Sequence, residues 1–159
     1  MAIKEKFTNE EWQQLLDLPY AVSFAIVTAS PSLLGLFSES KTMLTEPAAL
    51  ASSSGSDLVA TLSGEMQSRA KELIKQQQSL FKQDQSGYRP KTIEACKTVL
   101  TILEKATVEE ATAYKTWVLA IAQKVAEAAK ESGGVVVSEA EKAVLSEVSA
   151  AFDMSEHSS

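Results

Sequence analysis

From Leu18 to Ser38 the chain runs for 21 residues without a charged side chain, bounded by Asp17 and Glu39. Such a run has to leave water, either into a bilayer or into a protein core, and that choice constrains the fold more than any other feature. Its length meets the requirement for a membrane-spanning helix, about 20 residues. Its content argues the other way. Pro19, Ser23, Thr28, Ser30, Pro31 and Ser32 lower its apolarity, and Pro31 removes a backbone donor where a span would have to continue. The run is therefore expected to form two buried helical pieces meeting at Ser30-Pro31, with a membrane-associated hairpin as the alternative. A secretory signal is disfavoured, because Glu5, Glu10, Glu11 and Asp17 stand where a signal carries a short basic region.

A core able to enclose this run needs enough chain around it. At 159 residues one domain is expected, burying roughly 70% of the unfolded surface without disulfides or metals. With 45% hydrophobic and 23% charged residues the composition lies far from that of disordered chains. The net charge is −6, distributed as −3 over residues 1–56, +1 over 57–131 and −4 over 132–159. No Lys/Arg cluster offers a phosphate backbone its counter-charge, which argues against a nucleic-acid partner. The lone Cys96 forms no intramolecular disulfide and fits a reducing, cytoplasmic setting.

Helix starts are marked by capping boxes. Thr8 with Glu11, Thr107 with Glu110 and Ser138 with Glu141 each precede an apolar periodic run, and Phe7 with Trp12 adds a hydrophobic staple at the first. The connection from about 45 to 57, with Ser52-Ser53-Ser54-Gly55-Ser56 at its heart, reads as a flexible loop within one domain. From Leu58 to about Lys82, Leu62, Met66, Ala70, Leu73, Gln77 and Leu80 recur at steps of three and four, predicting one long helix. Gln83 through Pro90 is expected to break it, and Ile93, Cys96, Leu100 and Leu103 to carry the next helix, which closes near Lys105. Val108 to Glu131 repeats at Ala111, Tyr114, Val118, Ile121, Val125 and Ala128, a narrow seam suited to bundle packing. Gly133 is placed to end that helix and Val135 to Val137 to form an extended connector. Val144, Val148, Ala151 and Phe152 give the last helix its buried face. The expectation is an all-α, single-domain bundle of about six helices over residues 1–154, with 155–159 as a disordered tail and no repeat of solenoid type.

Catalytic signals are sparse. The one histidine, His157, falls in the expected tail, where positioning for catalysis is poor; Ser-His-Asp and Cys-His mechanisms, His-containing zinc sites and Glu-x-x-His di-iron sites lose their basis. Cys96 shares an apolar helical stripe and reads as core. Glu109, Glu110, Glu139 and Glu141 are accounted for by capping and by the helix dipole. Trp12 and Trp117 read as packed side chains, and Gln76, Gln77 and Gln78 as a polar helix surface. The six glycines, at 35, 55, 64, 87, 133 and 134, form neither a dinucleotide nor a P-loop pattern, and no EF-hand loop is present.

The segment Ala126-Glu127-Ala128-Ala129-Lys130-Glu131-Ser132-Gly133-Gly134-Val135-Val136-Val137-Ser138-Glu139-Ala140-Glu141-Lys142 resembles the ending of small, uncharacterised bacterial all-helical proteins. Its Gly-Gly-Val-Val-Val-Ser-Glu-Ala-Glu turn is also similar to helix connectors of tellurite-resistance-type helical domains, in which an Asp-Gly turn precedes a Val-Ser-x-x-Glu helix start. Gly133 stands in the place of that aspartate. Since the aspartate is the metal ligand in that family, the resemblance implies a helical connector without the ligand. No catalytic, cofactor-binding or metal-binding residue is assigned, and no cofactor is expected. The leading functional expectation is a non-enzymatic interaction or assembly module whose partner is a second copy or another protein. The alternatives are a membrane-associated or stress-response helical protein, and a small-ligand or metal binder with a pocket between helices.

Overall fold

The computed structural model describes residues 3–28, 48–52, 54–133 and 139–152, with the side chains of residues 4–26, 48–52, 54–125 and 142–152. The first helix, α1 (Asn9–Thr28), starts where the capping box requires. Glu11 N–H donates to Thr8 Oγ1 at 3.1 Å, and Thr8 N–H donates to Glu11 Oε1 at 2.9 Å. The Phe7 and Trp12 rings close the staple with centroids 5.9 Å apart. From residue 18 to residue 26 every side chain of α1 is buried. A helix without a solvent face is a central helix. Around it stand α2 (Asp57–Gln83), α3 (Gln85–Ile102), α4 (Val108–Gly133) and α5 (Glu139–Ala151), and α1 packs against all four. Residues 48–51 are helical as well, and Ile3–Lys6 and Leu103–Lys105 are single 3-10 turns. The described residues contain no strand, so the fold is the expected all-α bundle of about six helices.

Pro19 sits in the middle of α1, where its missing N–H leaves the Leu15 carbonyl without its helical partner. Leu15 is fully buried, so water does not supply one. The Tyr114 hydroxyl from α4 donates to that carbonyl at 2.8 Å. Ser23, also buried, donates its hydroxyl to the Pro19 carbonyl at 2.8 Å. The Leu15 carbonyl orphaned by Pro19 and the Ser23 hydroxyl thus each have a named partner. Magnitudes explain why a proline is tolerated here. A hydrogen-bonded replacement recovers most of the roughly 1 kcal/mol that a backbone bond contributes, while each fully buried Leu, Ile, Val or Phe contributes about 1.5–3 kcal/mol.

No helix among the described residues is long and apolar enough to cross a membrane. The described part of the uncharged run, residues 18–28, belongs to α1; its expected break at Ser30-Pro31 lies outside the described residues. So do Gly134, Val135 to Val137, Ser138, the tail with His157, and the side chains of the 126–141 segment that carries the family resemblance.

Three expectations are corrected. Gln83 through Pro90 does not separate the helices: Asp84 alone does. Its N–H donates to the Leu80 carbonyl at 3.3 Å, ending α2, and its carboxylate accepts from Gly87 N–H at 3.0 Å, starting α3. A Cβ at position 87 would collide with that carboxylate, so glycine here makes room for the cap rather than breaking a helix. The buried stripe of α3 is Tyr88, Thr92, Cys96, Val99 and Ile102, with Leu103 buried in the 3-10 turn that follows, while Ile93 and Leu100 are only partly covered. The shift follows from α3 beginning at Gln85, which places Tyr88 on the face that meets α1. The seam of α4 is wider than expected, since Trp117 and Ala122 are buried beside Tyr114, Val118, Ile121 and Val125. At the last helix the buried set is as expected: Val144, Val148, Ala151 and Phe152.

The starts of α2 and α4 are tied together. Ser56 caps α2 by accepting from Val59 N–H at 3.2 Å, and its hydroxyl donates to the Glu110 carboxylate in the first turn of α4. Thr107 caps α4 by accepting from Glu110 N–H at 3.1 Å. Before Ser56, Gly55 takes a φ of 70°, the left-handed region that a side chain strains. Loss of the Ser56 hydroxyl removes a cap and also leaves Glu110 without that donor. Ser56→Ala is expected to lower unfolding free energy by about 1–2 kcal/mol, measured by urea denaturation. A change within a few tenths would contradict this link between helix starts.

Candidate binding cleft

Where α2 hands over to α3 through Asp84, the two helices and α1 leave a cavity of about 430 Å³ between them. Its apolar lining is Leu18 and Ala21 from α1, Leu80 from α2 and Ala95 from α3. Two of these four are alanines, and small side chains at these positions leave the space that larger ones would fill. Leu80, 43% exposed, is one of two large apolar side chains open to solvent among the described residues; the other, Val108, opens α4.

The polar lining comes from the same three elements. Gln77, on the buried stripe of α2, accepts the Tyr88 hydroxyl at 2.5 Å. Burial holds that phenol protonated far above neutral pH, so Tyr88 is a donor and not a base. Thr92 donates its hydroxyl to the Tyr88 carbonyl at 2.9 Å. Lys91 pairs with Asp84 at 3.3 Å. The Gly87 N–H, and then Lys91, hold the Asp84 carboxyl below its ordinary value.

Asp17 is the remaining charge. It sits at the last position before the uncharged run, one turn above Ala21, and is partly covered. Gln13 donates its amide to Asp17 Oδ1 at 2.8 Å, and Arg69 Nη1 on α2 in turn donates to Gln13 Oε1 at 3.1 Å. Arg69 itself is held by Glu72 at 2.9 Å. Burial pushes the Asp17 carboxyl above its ordinary value, against the Gln13 hydrogen bond and the more distant Arg69 charge. A carboxylate oriented by a neighbour yet penalised by desolvation is a common mark of a functional position.

The other side chains weighed on sequence grounds lie elsewhere. Cys96 is fully buried in the core, where desolvation pushes its thiol up to about 12 and keeps it unreactive. Trp12 and Trp117 are both buried; the Trp12 indole donates to Glu65 Oε1 at 3.1 Å. Glu110 is engaged with Ser56. Among the described residues no three His, Cys, Asp or Glu side chains gather as a metal site. Asp17, Gln77 and Tyr88 were not singled out as site residues from sequence. The available signals were a charge abutting the most apolar run and a glutamine on an otherwise apolar stripe.

Asp17 costs the fold stability for as long as it is ionised. Its raised folded value means the penalty is absent below its ordinary value of 3.8, grows as pH rises through the folded value, and is constant above. Asp17→Asn is therefore expected to raise Tm at pH 7 and to leave it nearly unchanged at pH 3; a loss of stability at pH 7, or a gain independent of pH, would refute this. Comparison with protein-family models, curated proteins and solved structures finds no match to this chain, so the chemistry of the cleft is read from its own residues.

Proposed function

We propose that the chain is a non-enzymatic binding module that takes a small amphipathic molecule into the cleft between α1, α2 and α3. The observation that carries this reading is the cleft itself: about 430 Å³, with an apolar floor and a few polar groups converging from three helices. Small-molecule sites have that size and make-up. Binding is favoured over catalysis by the state of the groups present. Tyr88 is held protonated and Lys91 is paired with Asp84, which leaves Asp17 without an acid or nucleophile poised against it.

A docking face for a protein partner is usually marked by several large apolar side chains exposed together. Among the described residues the large exposed ones are Leu80 and Val108, on different helices, and Leu80 already belongs to the cleft. A membrane-associated role would draw on the uncharged run, whose residues 18–26 are committed to the centre of the bundle.

A protein NMR titration tests the reading with three probes of matched size: 2-phenylethanol, 2-phenylethylamine and phenylacetate. At least one is expected to shift the amides of residues 17, 21, 77 and 95 in a saturable manner, and Ala95→Leu, which narrows the cavity by three carbons, to weaken that binding. No saturable shift from any probe, or shifts unchanged by Ala95→Leu in a folded protein, would overturn it.

A further inference from the structure

We propose that the cleft is built for an amphipathic primary amine, its ammonium group against the Asp17 carboxylate and its apolar body over Leu18, Ala21 and Ala95. This rests on reading the cleft as the binding site and names the ligand class for it.

The hydroxyl donors of the lining and its one ammonium are engaged, while its acceptors keep spare capacity. The Tyr88 hydrogen goes to Gln77, the Thr92 hydrogen to the Tyr88 carbonyl, the Gln83 amide to Ser79, and the Lys91 ammonium to Asp84. An ionised carboxylate takes several hydrogen bonds, and Gln13 supplies one to Asp17; Gln77 Oε1 and Tyr88 Oη each retain lone pairs. A ligand that brings donors suits these acceptors, and an ammonium group brings three N–H bonds.

Charge gives the same answer independently. Asp17, Asp84 and Lys91 are the charged side chains of the lining, two acids against one base, and the base is paired with Asp84. Behind Asp17, Arg69 is balanced by Glu72. Asp17 is therefore the uncompensated charge of the cleft. An anion entering it would meet two carboxylates, whereas a cation would restore neutrality around a desolvated one. The floor formed by Leu18, Ala21 and Ala95 accepts the apolar remainder of the molecule.

The pH dependence follows from the groups that face Asp17. From α2 these are Arg69 and Glu72; from the α2–α3 junction and α3, Asp84, Lys91 and Tyr88; from α4, Tyr114. Glu72 and Asp84 are held below their ordinary values and both tyrosines are held protonated, so Asp17, held above its ordinary value, is the acid of this group that acidification protonates first.

Calorimetric or NMR titration with the amine, the alcohol and the carboxylate of matched size decides the matter. At pH 7.5 and low salt, 2-phenylethylamine is expected to bind about tenfold more tightly than 2-phenylethanol, a modest value for one partly covered charge pair. Phenylacetate is expected to bind more weakly than either. Asp17→Asn should bring the amine level with the alcohol. Lowering the pH to 4 should weaken the amine and not the alcohol. Lys91→Gln, which frees Asp84 and leaves Asp17 in place, should strengthen the amine, so the test does not depend on one variant. Alcohol or carboxylate binding as tight as the amine, or an amine preference that survives Asp17→Asn, would overturn the ligand class while leaving the cleft a binding site. Failure of all three probes would remove both together.

Discussion

A proline in the middle of a helix that is buried on every side leaves one carbonyl with neither a helical partner nor water. Here that carbonyl belongs to Leu15, and the arrangement of helices around α1 depends on how it is satisfied. The Tyr114 hydroxyl reaches it from α4, which fixes the register of α4 against α1 through a contact that a slip of either helix would break. The Tyr114 phenol is itself fully buried and packs edge-on to Trp117 at 5.9 Å between centroids, so the hydrogen bond lies beside the aromatic pair of α4. Buried polar groups that have one available partner specify geometry in a way that apolar packing does not.

With α1 and α4 fixed, the remaining helices pack along their buried faces and are also joined by polar contacts. Ser56 joins the starts of α2 and α4, Asp84 turns α2 into α3 within one residue, Arg89 of α3 meets Glu147 of α5 at 2.9 Å, and Lys115 of α4 donates to the Phe152 carbonyl at 3.4 Å. The cleft opens beside one of these devices. Because Asp84 ends α2 and starts α3 without a loop, the two helices diverge from a point on the flank of α1. Alanines at 21 and 95 leave open the space between them. The acid that faces this space burdens the fold, as expected where binding and stability make opposed demands on one side chain.

Much of this was legible in the residues because the signals were local. Thr8 with Glu11 and Phe7 with Trp12 describe a helix start completely in six positions, and Val144, Val148, Ala151 and Phe152 describe a buried face by spacing alone. The run from Leu18 announced buried helical structure, which its described residues 18–28 supply within α1, since a segment without charges has no face to give to water. What was not legible depends on one local cap that replaces the expected break and on contacts distant in sequence. Gly87 and Pro90 look like breakers until the Asp84 carboxylate is seen to need the space at 87. Glu110 looks like half of a capping box until Ser56, 54 residues away, claims its carboxylate. Asp17, Gln77 and Tyr88 are separated by 60 and 11 residues and become one site only when α2 and α3 fold back on α1. A charge abutting the uncharged run and a glutamine in an apolar stripe were the local traces of that site.

The most direct test of the account is a double-mutant cycle between Pro19 and Tyr114, read by urea denaturation. In the wild-type background Tyr114→Phe removes the donor and strands the Leu15 carbonyl, with an expected cost of about 1–3 kcal/mol. In the Pro19→Ala background the restored N–H satisfies that carbonyl, and the same substitution is expected to cost less than half as much. An equal cost in both backgrounds would mean that Tyr114 does not stand in for the bond Pro19 removes, and the account of how α1 is held would be wrong.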